Sequence, residues 1–141
     1  MPVTSSASAT WNGDLTGGEG RVRPASGAFP ELTVTWRQRA ETRESGTSPE
    51  ELIAAAHASC FAMALSAGLS RAGAPPQQLD TSAEVTFQGG EGITGIRLTV
   101  RGVVPGLDAD GFRSAAEAAK AGCPVSKALA SVPISLEASL G

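Results

Sequence analysis

The chain has 141 residues, which is enough for one hydrophobic core, and we expect a single domain over residues 1–141. Eleven Lys and Arg residues against 14 Asp and Glu residues give a net charge of −3, and the scattered basic residues disfavour nucleic-acid binding. The polar start and the interrupted alanine-rich run at 53–69 predict neither a signal peptide nor a membrane span, which indicates a cytoplasmic protein.

The first third of the chain is predicted to form β-structure. We expect a short strand over residues 6–11, a primed-type hairpin turn at Asn12-Gly13, and a second strand over residues 18–23. The clearest strand signal covers residues 32–40, where apolar and polar side chains alternate. This alternation predicts that two arginines, Arg37 and Arg39, lie on one face of the strand.

The strongest helix signal begins at Ser48. Ser48 is a favourable N-cap, Pro49 suits the first helical position, and Glu51 completes a capping-box pattern. The helix is predicted to run to about residue 71. Its apolar residues cover nearly the whole circumference, which indicates a central helix that is buried on all sides.

A second hairpin is predicted in the middle of the chain. Residues 83–87 and 93–104 both alternate between apolar and polar side chains, and the Gly-rich segment 89–92 lies between them. These segments therefore predict two antiparallel strands joined by a short turn.

The last third is predicted to return to helix and then to strand. Asp108 or Asp110 can cap a helix that ends at Gly122, a short helix follows over residues 125–130, and residues 132–140 form the final strand. Strands and helices in this order indicate an α+β fold with mostly antiparallel pairing.

The two cysteines are the first candidates for chemistry. Cys60 lies near the middle of the predicted buried helix, where a free cysteine is commonly a small packing residue. Cys123 lies at a helix break before Pro124, where it can cap the following helix and where a thiolate is stabilised. In a reducing compartment, any disulfide in this chain would be transient and chemical.

A nucleophilic cysteine needs a cation beside it, because a free thiol with a pKa of about 8.5 is only slightly ionised near pH 7. Glu50, at the start of the helix, could hold such a guanidinium in a bidentate grip, or it could be a first-turn acid favoured by the helix dipole. Four arginines could supply the cation: Arg21, Arg23, Arg37 and Arg39. Each of them could instead be a solvated charge on the face of a strand.

Helix geometry predicts a second subunit. Glu50 and Cys60 are ten residues apart on one helix, which separates them by about 15 Å along its axis. An antiparallel copy of the same helix would bring Glu50 of one subunit near Cys60 of the other. We therefore predict a two-fold homodimer with two sites at its interface.

His57 is the only histidine and lies one helical turn before Cys60. It could form a nucleophile pair with Cys60 or contribute to a metal site. A tetrahedral zinc site takes four clustered ligands, however, and this chain offers three scattered ones. We expect His57 to pack against a neighbouring element with one ring nitrogen hydrogen-bonded, and we expect no metal.

Two segments resemble the motifs of the OsmC and organic hydroperoxide resistance family. They are GTSPEELIAAAHASCFAMAL at 46–65 and KAGCPVS at 120–126. Weaker matches at Trp11-Asn12-Gly13, at 80–85 and at 104–112 extend the resemblance over nearly the whole chain. Val125 after Cys123-Pro124 and an arginine in the third strand favour the OsmC branch of the family.

The resemblance implies roles for four residues of this sequence. Cys60 would be the peroxidatic cysteine and Cys123 the resolving one, Glu50 the carboxylate at the helix start, and Arg39 the activating arginine. Arg37, on the same predicted strand face, is the alternative to Arg39. Cys60 would form a sulfenic acid and then a disulfide with Cys123, which an external dithiol would reduce.

The resemblance also implies an architecture and partners. The fold would be an intertwined homodimer in which antiparallel sheets wrap around long central helices. The substrate would be a hydroperoxide, the reductant a dithiol of the lipoyl type, and no metal, flavin or haem would be needed. Such an enzyme would defend the cell against oxidative or osmotic stress.

Two other interpretations remain open. The protein could be a non-catalytic stress or binding protein that keeps the fold while its thiols stay inert. It could also be a cysteine hydrolase that uses Cys60 and His57, although the sequence shows neither a second histidine nor a strand-to-helix nucleophile elbow.

Overall fold

The computed structural model describes residues 1–41 and 45–141 and consists of two units, residues 1–52 and residues 53–141. The prediction of one domain for the whole chain stays a prediction. The elements in chain order are β1 (Ala7–Asn12), β2 (Glu19–Pro24), β3 (Leu32–Val34), α1 (Trp36–Ala40), α2 (Pro49–Arg71), β4 (Gln78–Gln88), β5 (Gly92–Val103), α3 (Ala109–Gly122), α4 (Pro124–Ala128) and β6 (Ile134–Leu140).

The strands of the first unit form an antiparallel sheet in the order β1-β2-β3. A hairpin joins β1 to β2 as predicted, but the primed turn predicted at Asn12-Gly13 is wrong. Asn12 still pairs with Glu19, and the connecting loop spans residues 13–18. The Trp11 indole N–H donates a hydrogen bond to the carbonyl oxygen of Gly13 at 2.9 Å. Internal hydrogen bonds of this kind stabilise a loop that is longer than a primed turn.

The strand predicted over residues 32–40 is wrong beyond Val34. The Thr35 side chain accepts a hydrogen bond from the backbone N–H of Gln38 at 3.0 Å and caps helix α1. A cap of this kind satisfies a backbone donor that an isolated turn would leave free. Arg37 and Arg39 therefore lie on a short helix, not on one face of a strand.

Helix α2 begins and ends where the sequence predicts. The Ser48 hydroxyl oxygen accepts a hydrogen bond from the backbone N–H of Glu51 at 3.1 Å, and Pro49 is the first helical residue. The carboxylate of Glu51 in turn accepts a hydrogen bond from the hydroxyl of Thr47. Local side-chain contacts therefore fix the start of this helix.

The second unit combines a three-stranded sheet with helices. Its strand order is β4-β5-β6; β4 and β5 pair antiparallel, whereas β5 and β6 pair parallel through the connection that contains α3 and α4. The prediction of an α+β fold with mostly antiparallel pairing is confirmed, as is the second hairpin. Asp108 caps α3, since its carboxylate accepts a hydrogen bond from the Gly111 N–H at 2.7 Å.

Among the described residues, those of helix α2 that are fully buried lie on one stripe of the helix. His57, Phe61, Leu65 and Leu69, spaced four residues apart, are at most 1% exposed, and the three apolar members belong to the core. The opposite side carries Met63, which is 73% exposed. The prediction of burial on all sides is wrong for the single chain, because the second unit covers only one face of the helix.

Length and composition alone would also allow α2 to cross a membrane. This criterion is weak, because a long core helix satisfies it as well. The buried stripe that follows the helix from His57 to Leu69 is the arrangement expected of a helix that packs on a protein core.

Gly102 is required by the close packing of β5 against α3. A Cβ atom at this position would lie 2.6 Å from two ring atoms of Phe112 and 3.2 Å from a methyl carbon of Leu79. Phe112 is fully buried, so its ring has little room to move. We expect Gly102→Ala to lower the free energy of unfolding by about 1–3 kcal/mol, measured by urea denaturation.

Gly95, on the same strand, provides the matched control. A Cβ atom there would meet only the carbonyl oxygen of Pro133, at an ordinary contact distance of 3.9 Å. We expect Gly95→Ala to change the unfolding free energy by less than about 1 kcal/mol. Equal destabilisation by the two substitutions would contradict the packing argument.

Candidate active site

The second unit brings the two cysteine sulfurs together. Cys60 Sγ and Cys123 Sγ lie 2.9 Å apart although the residues are 63 positions apart in sequence. Both cysteines are free, so the contact is a hydrogen bond between thiols. Cys60 is half-buried on α2, and Cys123 is fully buried at the junction of α3 and α4.

The two helices that meet at Cys123 hold its backbone. Its N–H donates to the carbonyl oxygen of Ala119 at 2.9 Å, and its carbonyl oxygen accepts from the Lys127 N–H at 3.0 Å. Pro124 begins the second helix, as predicted. A residue whose backbone is fixed from both sides loses little freedom when its side chain reacts.

The surroundings of the two thiols differ. Burial raises the pKa of the Cys60 thiol, and its hydrogen bond with Cys123 adds to this effect. Burial also acts to raise the pKa of Cys123, but hydrogen bonds from Cys60, Ser126 and Val125 outweigh it and lower the pKa. The lowered pKa of Cys123 agrees with the predicted stabilisation of its thiolate, whereas the raised pKa of Cys60 means that this thiol needs additional positive charge to ionise.

His57 lies beside the cysteine pair. Its Nε2 is 2.8 Å from the Ser126 hydroxyl oxygen, and its Nδ1 is buried without a hydrogen-bond partner among the described residues. The prediction that one ring nitrogen is hydrogen-bonded is confirmed. Neither ring nitrogen is hydrogen-bonded to Cys60, which weakens the hydrolase interpretation. Ser126 was not predicted as a site residue, although its position three residues after Cys123 was a usable signal.

His57 should make stability depend on pH. Burial lowers its pKa from the ordinary value of 6.5, so the folded protein binds this proton less readily than the unfolded chain does. Above about pH 6.5 the His57 ring is neutral in both the folded and the unfolded state, so its contribution to stability is fully present. As the pH falls below about 6.5, the unfolded chain takes up the proton before the folded protein does, and the free energy of unfolding decreases. We expect the melting temperature to decrease as the pH is lowered from about 7 to about 5, a range that lies above the usual pKa values of carboxylates.

The control for this prediction is His57→Gln, which keeps an amide N–H in place of Nε2 but cannot titrate. Thermal unfolding followed by circular dichroism should show a shallower decline in melting temperature with falling pH for this variant. Equal declines for the two proteins would contradict the assignment to His57.

The first unit brings Arg39 and Glu50 together. The Arg39 Nε lies 3.0 and 3.1 Å from the two carboxylate oxygens of Glu50, and one terminal nitrogen is 3.0 Å from Oε2. The Glu50 side chain is only 3% exposed, so its charge is buried with its partner. This is the bidentate grip that the sequence raised as one of two interpretations of Glu50.

The other candidate arginines form ion pairs on the surface. Arg37 lies 4.0 Å from Glu41, and both side chains are more than half exposed. Arg21 and Arg23 both contact Glu31 near the sheet surface. Of the four arginines, Arg39 is the one that contacts the predicted carboxylate Glu50.

A small, largely apolar cavity of about 160 Å³ adjoins Arg39 within the first unit. Apart from Arg39, the sequence did not single out the lining residues as parts of a site, although the chain has only two tryptophans and both line this cavity. The lining residues are Trp11, Leu15, Val34, Thr35, Trp36, Arg39 and Pro49.

Known proteins share this sequence pattern and fold. The family model for OsmC-like proteins matches residues 42–137. Peroxiredoxin OsmC of Escherichia coli (strain K12) is 44% identical over 132 residues, which cover 92% of each chain. The organic hydroperoxide resistance protein of Xanthomonas axonopodis pv. citri (strain 306) is 32% identical over 126 residues, with coverage of 84% of this chain and 85% of that protein.

Structural similarity agrees with the sequence comparisons. An OsmC-like protein from Mycoplasma pneumoniae superposes with a TM-score of 0.74 over 99% of both chains at 15% identity, which shows a shared fold. The higher identity to peroxiredoxin OsmC than to the organic hydroperoxide resistance protein favours the OsmC branch. The chain therefore belongs to the OsmC-like protein family.

Proposed function

We propose that this protein is a cysteine-based peroxidase that reduces organic hydroperoxides, with Cys60 as the attacking thiolate and Cys123 as the resolving thiol. The observation that carries the proposal is the 2.9 Å contact between the two sulfurs. The relatives named peroxiredoxin and organic hydroperoxide resistance protein support a hydroperoxide as the substrate.

The reaction takes three steps. The Cys60 thiolate attacks one peroxide oxygen, the O–O bond breaks, and the alkoxide leaves and is protonated to an alcohol while Cys60 becomes a sulfenic acid. The Cys123 thiolate then attacks the Cys60 sulfur, which forms the disulfide and releases hydroxide that becomes water. An external dithiol reduces the disulfide by thiol exchange. None of these steps requires a metal, flavin or haem.

Arg39 is proposed to favour the Cys60 thiolate and to donate a hydrogen bond to the leaving oxygen. Burial raises the pKa of Cys60, so the thiol needs a positive charge to be reactive at neutral pH. The grip of Glu50 on Nε and one terminal nitrogen fixes the plane of the Arg39 guanidinium, which supports this role.

The active assembly is proposed to be a two-fold homodimer in which α2 of one subunit packs against α2 of the other. The exposed side of α2 supports this arrangement because its middle carries mainly small and apolar side chains, with Met63 at 73% exposure, on a helix of 23 residues. Analytical ultracentrifugation of the active protein tests it. A folded, active monomer would contradict the shared-site dimer.

The reductant is proposed to be a lipoyl-type dithiol, and the protein is proposed to act in the cytoplasm. Steady-state consumption of cumene hydroperoxide with dihydrolipoamide, compared with thioredoxin, tests the reductant. Faster turnover with thioredoxin would overturn the lipoyl assignment. The same assay with hydrogen peroxide defines the preferred oxidant.

The rival interpretation of an inert binding protein is tested by counting thiols. Free thiols are titrated before and after addition of one equivalent of cumene hydroperoxide to the reduced protein. Loss of both thiols per chain supports the peroxidase. Two intact thiols, with the peroxide unconsumed, would support the inert protein.

A further inference from the structure

Two pairs of side chains join α2 to α4, and the proposed reaction uses only one of them. Cys60 contacts Cys123, and His57 contacts Ser126 at 2.8 Å. Residues 57 and 60 are three apart on one helix, as are residues 123 and 126 at the start of the other, so the pairs are neighbours. His57 and Cys123 are fully buried and Ser126 is 5% exposed, so three of the four side chains are shielded from bulk solvent.

The position of Ser126 directs it toward Cys123. Cys123 is the N-cap of α4, and Ser126 is the third residue of that helix. In a capping box these two positions face each other. Ser126 therefore lies one helical turn from Cys123, and its hydroxyl and backbone N–H contribute to lowering the pKa of Cys123.

The environment of His57 determines which way its hydrogen bond runs. Burial lowers the pKa of His57, so the ring is neutral. Nδ1 is buried without a partner among the described residues, and an unpaired N–H there would cost more than a bare acceptor. The proton therefore lies on Nε2, which donates to the Ser126 oxygen and leaves the Ser126 hydrogen free for Cys123.

We propose that His57 and Ser126 form a hydrogen-bond relay that holds Cys123 as the nucleophile of the disulfide-forming step. Both are positioning residues, since each acts through Cys123 and not on the peroxide itself. The catalytic role of the relay rests on the proposed function. In that role the relay stabilises the Cys123 thiolate while this thiolate attacks the sulfur of the Cys60 sulfenic acid. The S–S bond forms, the S–O bond breaks, and the hydroxide that leaves is protonated to water.

Other titratable groups near Cys123 lie on the helices that meet there. Cys60 on α2 shares its hydrogen bond. Lys120 on α3 lies 3.1 Å from Glu117, and Lys127 on α4 is exposed. Solvent and ion pairing screen the charges of both lysines. Removing the relay by substitution should therefore remove the buried contribution to the stability of the Cys123 thiolate.

The first test measures Cys123 without any peroxide chemistry. In a Cys60→Ser background, the ultraviolet absorbance of the thiolate is titrated against pH with and without Ser126→Ala. We expect loss of the hydroxyl to raise the midpoint by about one pH unit, the effect of one hydrogen bond to a charged group. An unchanged midpoint would overturn the relay whether or not the protein is a peroxidase.

The second test separates the two oxidation steps by rapid mixing with one equivalent of cumene hydroperoxide. Ser126→Ala should slow disulfide formation about tenfold near neutral pH, and higher pH should restore the rate. Ser114→Ala, at an exposed position of α3, is the matched control and should match the unsubstituted protein. Disulfide formation in Ser126→Ala at the unsubstituted rate across pH would overturn the relay while leaving the peroxidase proposal intact.

Substitutions of His57 test the direction of the hydrogen bond. His57→Gln keeps a donor near the position of Nε2 and should form the disulfide within about threefold of the unsubstituted rate, whereas His57→Met lacks the donor and should resemble Ser126→Ala. Thermal unfolding verifies that each variant is folded. Equal rates for the Gln and Met variants would contradict the relay.

Discussion

Replacing Cys60 with serine is expected to abolish hydroperoxide reduction, with a loss on the order of 10³-fold or more, because a serine hydroxyl is not ionised at neutral pH. The residue is half-buried and serine is close to cysteine in size, so the fold should be retained. The measurement is the rate of cumene hydroperoxide consumption with a dithiol reductant.

Cys123→Ser is the matched control for this result. It keeps the proposed attacking thiol but removes the resolving one, so it should reduce one equivalent of peroxide and stop at a sulfenic acid that a selective trapping reagent labels. Multiple turnover by Cys60→Ser, or trapping of the sulfenic acid on Cys123 in the unsubstituted protein, would reverse the assignment of roles.

Arg39→Lys is expected to lower kcat/KM by about 10²-fold, as loss of a preorganised hydrogen-bond donor commonly does. Lysine keeps the charge but has no planar fork, so it cannot reproduce the contacts of Nε and a terminal nitrogen with the two oxygens of Glu50. The measurement is the peroxidase rate, together with the rate of Cys60 alkylation at neutral pH as a report on its ionisation.

Arg37→Lys is the matched control, since it makes the same change two residues earlier on α1. The exposed pair of Arg37 and Glu41 should be nearly neutral for activity, as surface ion pairs are for stability. If Arg37→Lys were the more damaging substitution, Arg37 would be the activating residue.

The ionisation of the thiol pair bears on both predictions. In the reduced chain the pKa of Cys60 is raised and that of Cys123 is lowered, which stabilises charge on the proposed resolving sulfur. A guanidinium beside Cys60 would reverse this preference for the first step. Once Cys60 is a sulfenic acid, the lowered pKa of Cys123 favours the second step.

Local signals in the sequence determined the helix boundaries. Ser48 and Pro49 at the start of α2, Asp108 at the start of α3, and Pro124 after Cys123 act within one helical turn of their own positions. The segment around Arg39 shows the limit of such signals. The alternation of apolar and polar side chains predicted a strand there, but the hydrogen bond from the Gln38 N–H to the Thr35 side chain favours a short helix instead.

Contacts between distant residues were decided by the tertiary structure. The sequence nominated Cys60, Cys123, Arg39 and Glu50, but spacing alone could not give a 2.9 Å contact across 63 residues or a forked ion pair between α1 and α2. It also could not give the parallel pairing of β6 with β5 or the bond from His57 to Ser126, 69 residues away. Hydrophobic periodicity shows which face of an element is buried, whereas the partner of that face depends on how all the elements pack together.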